Sequence, residues 1–302
     1  MAKANKPFVI ACIPAYNEEA TIAKVIIQAQ KYVDKVILCD DGSTDYTGLI
    51  AEKLGAEVIK HERRLGKGAA LRSLFKKAED LEAGIVVTLD ADGQHDPNDI
   101  PKLIKPILNG EADVVVGSRY IGEEPIGEGM PKQRKLGLKT VNGFVKRLGK
   151  LPVRDTQSGF RAYSFKALKA IMPSEMDMSV DSEILMRAAE KGLRIIEVPI
   201  KVSYLTPKPS KHTPLYHALQ VFLGALKFAS IRHPLIFYGT PGLILLAASV
   251  FCGFMAIKLY LAKAYFSVPF TLLAAIFMLS GLLLLFTAII LFTVISILRE
   301  HV

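Results

Sequence analysis

Short β-branched apolar runs alternate with amphipathic stretches over the first 116 residues. Runs at 8–13, 35–39, 57–60, 84–89 and 113–116 predict strands, while 21–32, 44–54, 68–82 and 97–108 carry apolar residues at helical spacing. This βαβα rhythm predicts an α/β domain with a Rossmann-like, mostly parallel, doubly wound sheet. Farther on, 120–131 is rich in Gly, Glu and Pro and predicts a loop. Residues 132–150 read as a basic helix, 182–191 as another helix and 193–198 as a last strand. A proline-bearing linker at 199–214 leads into 215–230, an apolar stretch interrupted by His217, Gln220 and Lys227. That pattern fits an amphipathic helix lying at a membrane surface, and equally one packed on the first domain.

The pattern changes at residue 234. Neither 234–257 nor 264–298 contains a charged side chain, and Lys258 and Lys263 bracket the joint between them. Each stretch is long enough to cross ~30 Å of hydrocarbon as a helix, which predicts a transmembrane hairpin. Pro241 and Pro269 fall near the helix starts, where proline is tolerated. The expected division is a catalytic domain at 1–202, a linker with an interfacial amphipathic helix at 203–233, and a two-helix membrane anchor at 234–302. No apolar segment lies near Met1, so the first domain is expected in the cytoplasm, with the hairpin returning the C-terminus to the same side. Lys258 and Lys263 would sit on the far side, a weak opposition to the positive-inside tendency.

Composition follows from this division. Hydrophobic residues make up 51% of the chain and mean hydropathy is +0.31, with the excess in the tail. The formal charge is +9. Lys258, Lys263, Arg299 and Glu300 account for little of it, so the first domain is strongly basic, which points to the lipid bilayer and to phosphate-bearing partners. Nucleic acid is not expected, because no basic-and-aromatic ladder or groove-reading helix is present. Cys12, Cys39 and Cys252 lie in apolar runs without metal-site spacing and read as small buried residues of a reducing compartment.

The chemistry concentrates where strands end. The run at 85–89 stops in Asp90-Ala91-Asp92-Gly93-Gln94-His95-Asp96. Open α/β sheets place ligands at the C-terminal ends of their strands. Two carboxylates so close repel each other unless a cation lies between them, and oxygen ligands suit Mg2+ or Mn2+ carrying a substrate diphosphate. An ordinary acidic turn would use the same residues. Pro14-Ala15-Tyr16-Asn17-Glu18 follows the first strand and Asp40-Asp41-Gly42-Ser43-Thr44-Asp45 the second. These can meet a base or a ribose, while Ser43 or Thr44 can equally cap a helix. No Gly-x-Gly-x-x-Gly follows the first strand, so a dinucleotide fingerprint is absent. Gly66-Lys67-Gly68 opens a helix and could meet an anion there.

The ordered series resembles the family-2 glycosyltransferases of GT-A fold, and within them the dolichyl- and polyprenyl-phosphate sugar synthases. The series comprises Pro14 to Glu18, Asp40 to Ser43, Gly66 to Gly68, Asp90-Ala91-Asp92 with Gln94, Gly117-Ser118-Arg119, and Ser158-Gly159-Phe160-Arg161. The resemblance implies that Pro14, Tyr16, Glu18 and Asp41 line a nucleotide pocket, with Lys67 beside it. It implies that Asp90, Asp92 and Gln94 bind the divalent metal, and that Arg119 and Arg134 hold substrate phosphates. Ser158 to Arg161 would form part of the acceptor-side wall. Asp181 and Glu183 would lie near the sugar, or serve as helix-start acids favoured by the dipole. Arg64 departs from the small polar residue expected before the Gly-Lys-Gly turn, which bears on donor preference. The Gln-x-x-Arg-Trp signature of processive synthases is missing, and the chain has no Trp.

The implied reaction is inverting, metal-dependent transfer of one sugar by a hexosyltransferase, from a nucleoside-diphosphate sugar (GDP-mannose or a UDP-hexose) to a polyprenyl or dolichyl phosphate. A phosphate acceptor with a second pKa of about 6 is largely dianionic at neutral pH and needs no dedicated base. Transfer to a lipid hydroxyl would need one, such as Asp181. A non-catalytic nucleotide-sugar-binding scaffold is the third reading. Homo-oligomerisation is left open.

Overall fold

The computed structural model describes residues 7–121, 143, 146, 151–173, 180–202, 223, 226, 230–231 and 233–300. The expected loop at 120–131, the basic helix at 132–150 with Arg134, the linker and the 215–230 helix lie almost wholly outside them. The chain divides into two compact units, 1–225 and 226–302.

In the first unit, β1 (Val9–Ala15), β2 (Lys35–Asp40), β3 (Glu57–Lys60), β4 (Ile85–Thr88), β5 (Val114–Ser118), β6 (Arg161–Ser164) and β7 (Ile195–Pro199) form one sheet among the described residues, in the order β3-β2-β1-β4-β6-β5-β7. Six run one way; β6 alone is antiparallel to its neighbours β4 and β5. Every residue of β1, β4 and β5 is buried, which is why these strands read as unbroken apolar runs instead of alternating ones. Helices α1 (Ile22–Ala29), α2 (Thr47–Lys53), α3 (Lys67–Asp80), α4 (Ile100–Leu108), α5 (Phe165–Ala170) and α6 (Val180–Glu190) surround the sheet. Ile22, Val25, Ile26 and Ala29 of α1 are buried, the i, i+3, i+4, i+7 stripe of a helix with one core face. They join Val9, Ala11, Ile13, Val87 and Leu103 in the main core. On α3 the corresponding face is Ala70, Leu71, Leu74, Phe75 and Ala78, and Phe75 meets Tyr163 of β6 edge-on at 5.3 Å.

The expected doubly wound sheet is present, with two elements the sequence pattern did not reveal, β6 and the short helix α5 that follows it. Strand β6 has the sequence Arg-Ala-Tyr-Ser and no apolar run, yet it sits centrally because β4 and β5 pair with its two edges. Because β6 is reversed, it is its first residue, not its last, that reaches the C-terminal edge of β1, β4 and β5. Ser158-Gly159-Phe160 is thereby delivered beside the ends of those strands. The chain order also turns around at β1, with β2 and β3 on one side and β4 on the other, and such a switch point opens a crevice at the strand ends.

In the second unit, a π-helical turn (Leu235–Gly239) runs into α7 (Thr240–Lys263), and α8 is Val268–Glu300. The spans at Leu235–Ala262 and Val268–Ile297 have mean hydropathies of 2.1 and 2.7. At ~1.5 Å per residue each exceeds the ~30 Å of a bilayer core. Ala264, in left-handed conformation at φ 47°, ends α7. The two helices touch backbone to backbone. A Cβ on Gly242 would lie 3.0 Å from the Gly281 carbonyl oxygen, and one on Gly281 would lie 2.9 Å from that of Gly242. The Ser249 hydroxyl donates to the Ala274 carbonyl at 2.8 Å. Close approach at small residues and hydroxyl bonds to carbonyls are how helices associate in lipid. Leu243, Phe251, Leu261, Leu279 and Phe286 remain exposed, an apolar surface far larger than water tolerates on a monomer.

Candidate active site

At the ends of β1 and β2, hydrogen bonds knit two loops together. Asn17, left-handed at φ 55°, donates its backbone amide to the Ser43 hydroxyl oxygen at 2.9 Å and accepts the Thr44 amide on its side-chain oxygen at 2.8 Å. The Glu18 amide donates to the Thr47 hydroxyl oxygen at 2.7 Å. Asp41 is almost wholly buried. One of its oxygens accepts the Leu65 amide at 2.9 Å and faces His61 Nδ1 at 2.8 Å; the other accepts the Gly66 amide at 2.8 Å. Asp41, expected to line the nucleotide pocket, thus shapes the 61–66 loop. That loop passes so close over Gly42 (φ 74°) that a Cβ there would lie 2.6 Å from the Arg63 carbonyl carbon, and only glycine fits such a spot without strain. Loop 61–66 also lays the Arg64 guanidinium over the Tyr16 ring at 4.5 Å. Tyr16 and Glu18 are half-buried and Pro14 is buried in β1.

Beyond β4, Asp90 and Asp92 leave the sheet edge. Lys67, the first residue of α3, reaches across with its ammonium 2.8 Å from Asp90 Oδ1 and 2.8 Å from Asp181 Oδ2. Three residues expected at separate tasks therefore form one carboxylate–ammonium–carboxylate bridge, joining β4 to the start of α6. Burial disfavours the Lys67 charge, but Asp181 and Asp90 outweigh it and hold the ammonium above its ordinary range. Burial likewise opposes the Asp90 charge, yet Lys67 lowers that carboxyl to about 2. Asp92 moves the other way, raised by burial and by the charge of Asp90. Its Oδ1 accepts the Gln94 amide at 3.0 Å, and its other oxygen has no hydrogen-bond partner among the described residues.

Gly159 makes this packing feasible. A Cβ there would stand 2.6 Å from Asp90 Oδ2 and 2.8 Å from Lys67 Nζ. Its carbonyl accepts the Thr88 hydroxyl at 2.8 Å, fixing the turn before β6. Ser158 is buried in the same turn. Arg161, expected in the acceptor-side wall, has no exposed surface. Its guanidinium donates to the carbonyls of Asp181 at 2.7 Å and Thr156 at 3.0 Å, so it braces the wall from behind and holds Asp181 opposite Lys67. Glu183 is buried and pairs with Arg187 one turn on, at 2.7 Å.

After β5, Arg119 forms a two-pronged bond to Asp155, Nε to Oδ2 and Nη2 to Oδ1, each 2.7 Å. Asp155 has no exposed surface. Burial would raise its pKa, but the Arg119 guanidinium holds it below the usual carboxylate range. The amides of Arg154 and Asp155 both donate to Glu197 of β7 at 2.7 Å. Arg134, the other expected phosphate holder, lies outside the described residues. Asp155 and His95 went unassigned in the sequence, and Gly159 was placed only as part of the 158–161 wall. The signal for them was their place in or beside the quoted motifs.

Among the described residues no three His, Cys, Asp or Glu side chains are gathered closely enough to ligate one ion. The donor chemistry nevertheless fits a hard divalent cation. The charge of Asp90 raises the cost of ionising Asp92, each keeps an oxygen without a hydrogen-bond partner among the described residues, and the amide oxygen of half-buried Gln94 follows two residues on.

Residues 10–172 match the family described as Glycosyl transferase family 2. The chain is 37% identical, over 70% of its length and 91% of the relative's, to a UDP-N-acetylglucosamine–dolichyl-phosphate N-acetylglucosaminyltransferase of Methanococcus voltae. It is 29% identical, over 62% of its length and 74% of the relative's, to a polyprenol monophosphomannose synthase of Mycolicibacterium smegmatis. Among solved structures it resembles glucosyl-3-phosphoglycerate synthase of Mycobacterium tuberculosis in complex with Mn2+, UDP-glucose and phosphoglyceric acid. That match has a TM-score of 0.58 and 26% identity, covering 74% of this chain and 80% of that one.

Proposed function

Starting from the chain's membership of glycosyl transferase family 2, which makes it a glycosyltransferase, we propose that it moves a single sugar from a nucleoside-diphosphate sugar to a polyprenyl phosphate, with inversion at the anomeric carbon. The observation that carries this reading is the state of Asp181. A hydroxyl acceptor needs a carboxylate to take its proton, and the candidate for that task is ion-paired with Lys67 at 2.8 Å and almost wholly buried. A phosphate acceptor requires no such base, since its second proton is largely lost at neutral pH. Two relatives whose names carry dolichyl phosphate and a polyprenol monophosphate product support the same choice.

In this reading the loops after β1 and β2, with Tyr16, Glu18 and Asp41, hold the nucleoside. Asp90, Asp92 and Gln94 would hold a divalent cation, Mg2+ or Mn2+, which neutralises charge on the departing diphosphate. Lys67 keeps Asp90 ionised and oriented, and Arg161 keeps Asp181 in place to anchor Lys67. Arg119, aimed by Asp155, and Arg134 present guanidinium groups to phosphate oxygens, which they match in geometry. Ser158 and the turn at Gly159 form the wall on the acceptor side. The hairpin of α7 and α8 sits in the bilayer, with the catalytic domain on the cytoplasmic face where nucleotide sugars are found. A donor panel tests the proposal: purified full-length protein, polyprenyl phosphate, each UDP- and GDP-sugar, and Mg2+ or Mn2+ in turn. One donor should give a lipid-extractable sugar only when cation is added. Donor hydrolysis with no lipid product under any combination would overturn it.

A further inference from the structure

We propose that His95 is a ligand of the divalent cation, completing with Asp90 a site that the Asp90-Ala91-Asp92 spacing alone does not describe; this rests on the cation reading above. His95 is 8% exposed. Its ring leans on Phe160 at 5.3 Å between centroids, and its backbone bridges to Val202. It is therefore fixed from two directions. Its Nδ1 is buried and has no hydrogen-bond partner. A buried polar nitrogen left alone is costly, and native structures rarely keep one without a use.

That nitrogen faces Asp90 Oδ2 at 3.9 Å. The gap is too long for a hydrogen bond. It is within the ~4.2 Å that two donors can span when each lies about 2.1 Å from a shared ion. The other oxygen of Asp90 is taken by Lys67, so Oδ2 is the atom available for a cation, and it is the atom His95 faces. Among the described residues no other element brings a competing partner to Nδ1. The remaining charged groups near it are Asp92, Arg119 and Lys67. An imidazole nitrogen is softer than the carboxylate and amide oxygens beside it, which tilts the site toward Mn2+ over Mg2+.

The test is spectroscopic and uses the wild-type full-length protein. The chain is grown with 15N-histidine and loaded with Mn2+, alone and with inorganic pyrophosphate. Pulsed electron paramagnetic resonance then reads the nitrogen coupled to the ion. A directly bound histidine coupling is expected, absent in His95→Phe, which keeps the ring against Phe160. His95→Phe should also weaken Mn2+ by roughly 10-fold or more, and Mg2+ by less. Mn2+ bound in an Asp92-dependent manner without histidine coupling would overturn the His95 assignment and leave the cation reading standing. Mn2+ binding indifferent to Asp92→Ala, or no Mn2+ binding at all, would overturn both.

Discussion

The two sides of the sheet's functional edge hold their polar groups by different means. On the β3-β2-β1-β4 side, carboxylates and hydroxyls accept backbone amides: Asp41 takes those of Leu65 and Gly66, Asp40 that of Ser43, Ser43 that of Asn17. On the β6-β5-β7 side, arginines grip carboxylates and carbonyls: Arg119 on Asp155, Arg161 on Asp181 and Thr156, Arg187 on Glu183. Lys67 is the joint between them. Amide-bonded loops give a shaped pocket. Paired arginines give a wall whose members are hard to remove singly, since each leaves a buried carboxylate or carbonyl behind. In the proposed reading the first side takes the donor and the second the anionic acceptor.

The largest break in the comparison comes from the carboxylate beside the joint. Asp92→Ala should lower sugar transfer by at least ~10^3-fold, several kcal/mol of lost charge stabilisation, with the fold unchanged by circular dichroism. Turnover near the wild-type rate in a radiolabelled assay would refute the role given to Asp92. Next, Arg119→Ala strands a wholly buried carboxylate and should destabilise the catalytic domain by about 3–5 kcal/mol. Adding Asp155→Asn should recover part of the loss, because the stranded charge is gone. A double variant as unstable as the single would show that the pair does not act through charge.

The same pair sets a pH response. Its carboxyl has a lowered pKa in the folded state, so the stability it contributes is complete above the unfolded value of 3.8 and disappears as pH falls through the folded value. Asp155→Asn should remove that part of the acid limb in a thermal-denaturation series, leaving behaviour above pH 5 parallel to wild type. An unchanged acid limb would contradict the assignment.

A smaller effect is expected at Gly159. Gly159→Ala forces a Cβ between Asp90 and Lys67 and should cost about 1–3 kcal/mol of strain, read as a lowered melting midpoint together with weaker cation binding. Smallest is Ser43→Ala, which removes the hydroxyl that accepts the Asn17 amide and should cost about 1 kcal/mol, felt in donor affinity more than in turnover. A larger turnover loss in Ser43→Ala than in Gly159→Ala would erase the contrast between the two sides.

How much could be read from the chain follows the same division. Strands β1, β2, β4 and β5, the helices between them and the two long apolar helices were legible, because burial on both faces or a length and composition able to span a bilayer leaves unbroken apolar runs. Strand β6 was not. It earns its central place through pairing partners distant in sequence, and its first residue is a buried arginine. In the site, Asp90, Asp92 and Lys67 were legible as chemistry, but the bridge from Lys67 to Asp181 joins residues 114 apart and has no local signature. Arg161 was legible as a motif, but a motif does not say whether a guanidinium faces ligand or carbonyl, and here it meets the carbonyls of Asp181 and Thr156. Gly159 was quoted for its pattern, whereas its role is the absence of a side chain.

One measurement bears most directly on the central claim: acceptor competition. Polyprenyl phosphate and the matching polyprenol are offered together in vesicles, with labelled donor and Mn2+, and the linkage in the lipid product is read by phosphorus NMR and mild-acid lability. The expected result is a sugar joined through a phosphodiester that mild acid releases, with the alcohol left unglycosylated. A sugar joined directly to the polyprenol oxygen, stable to mild acid, would contradict it.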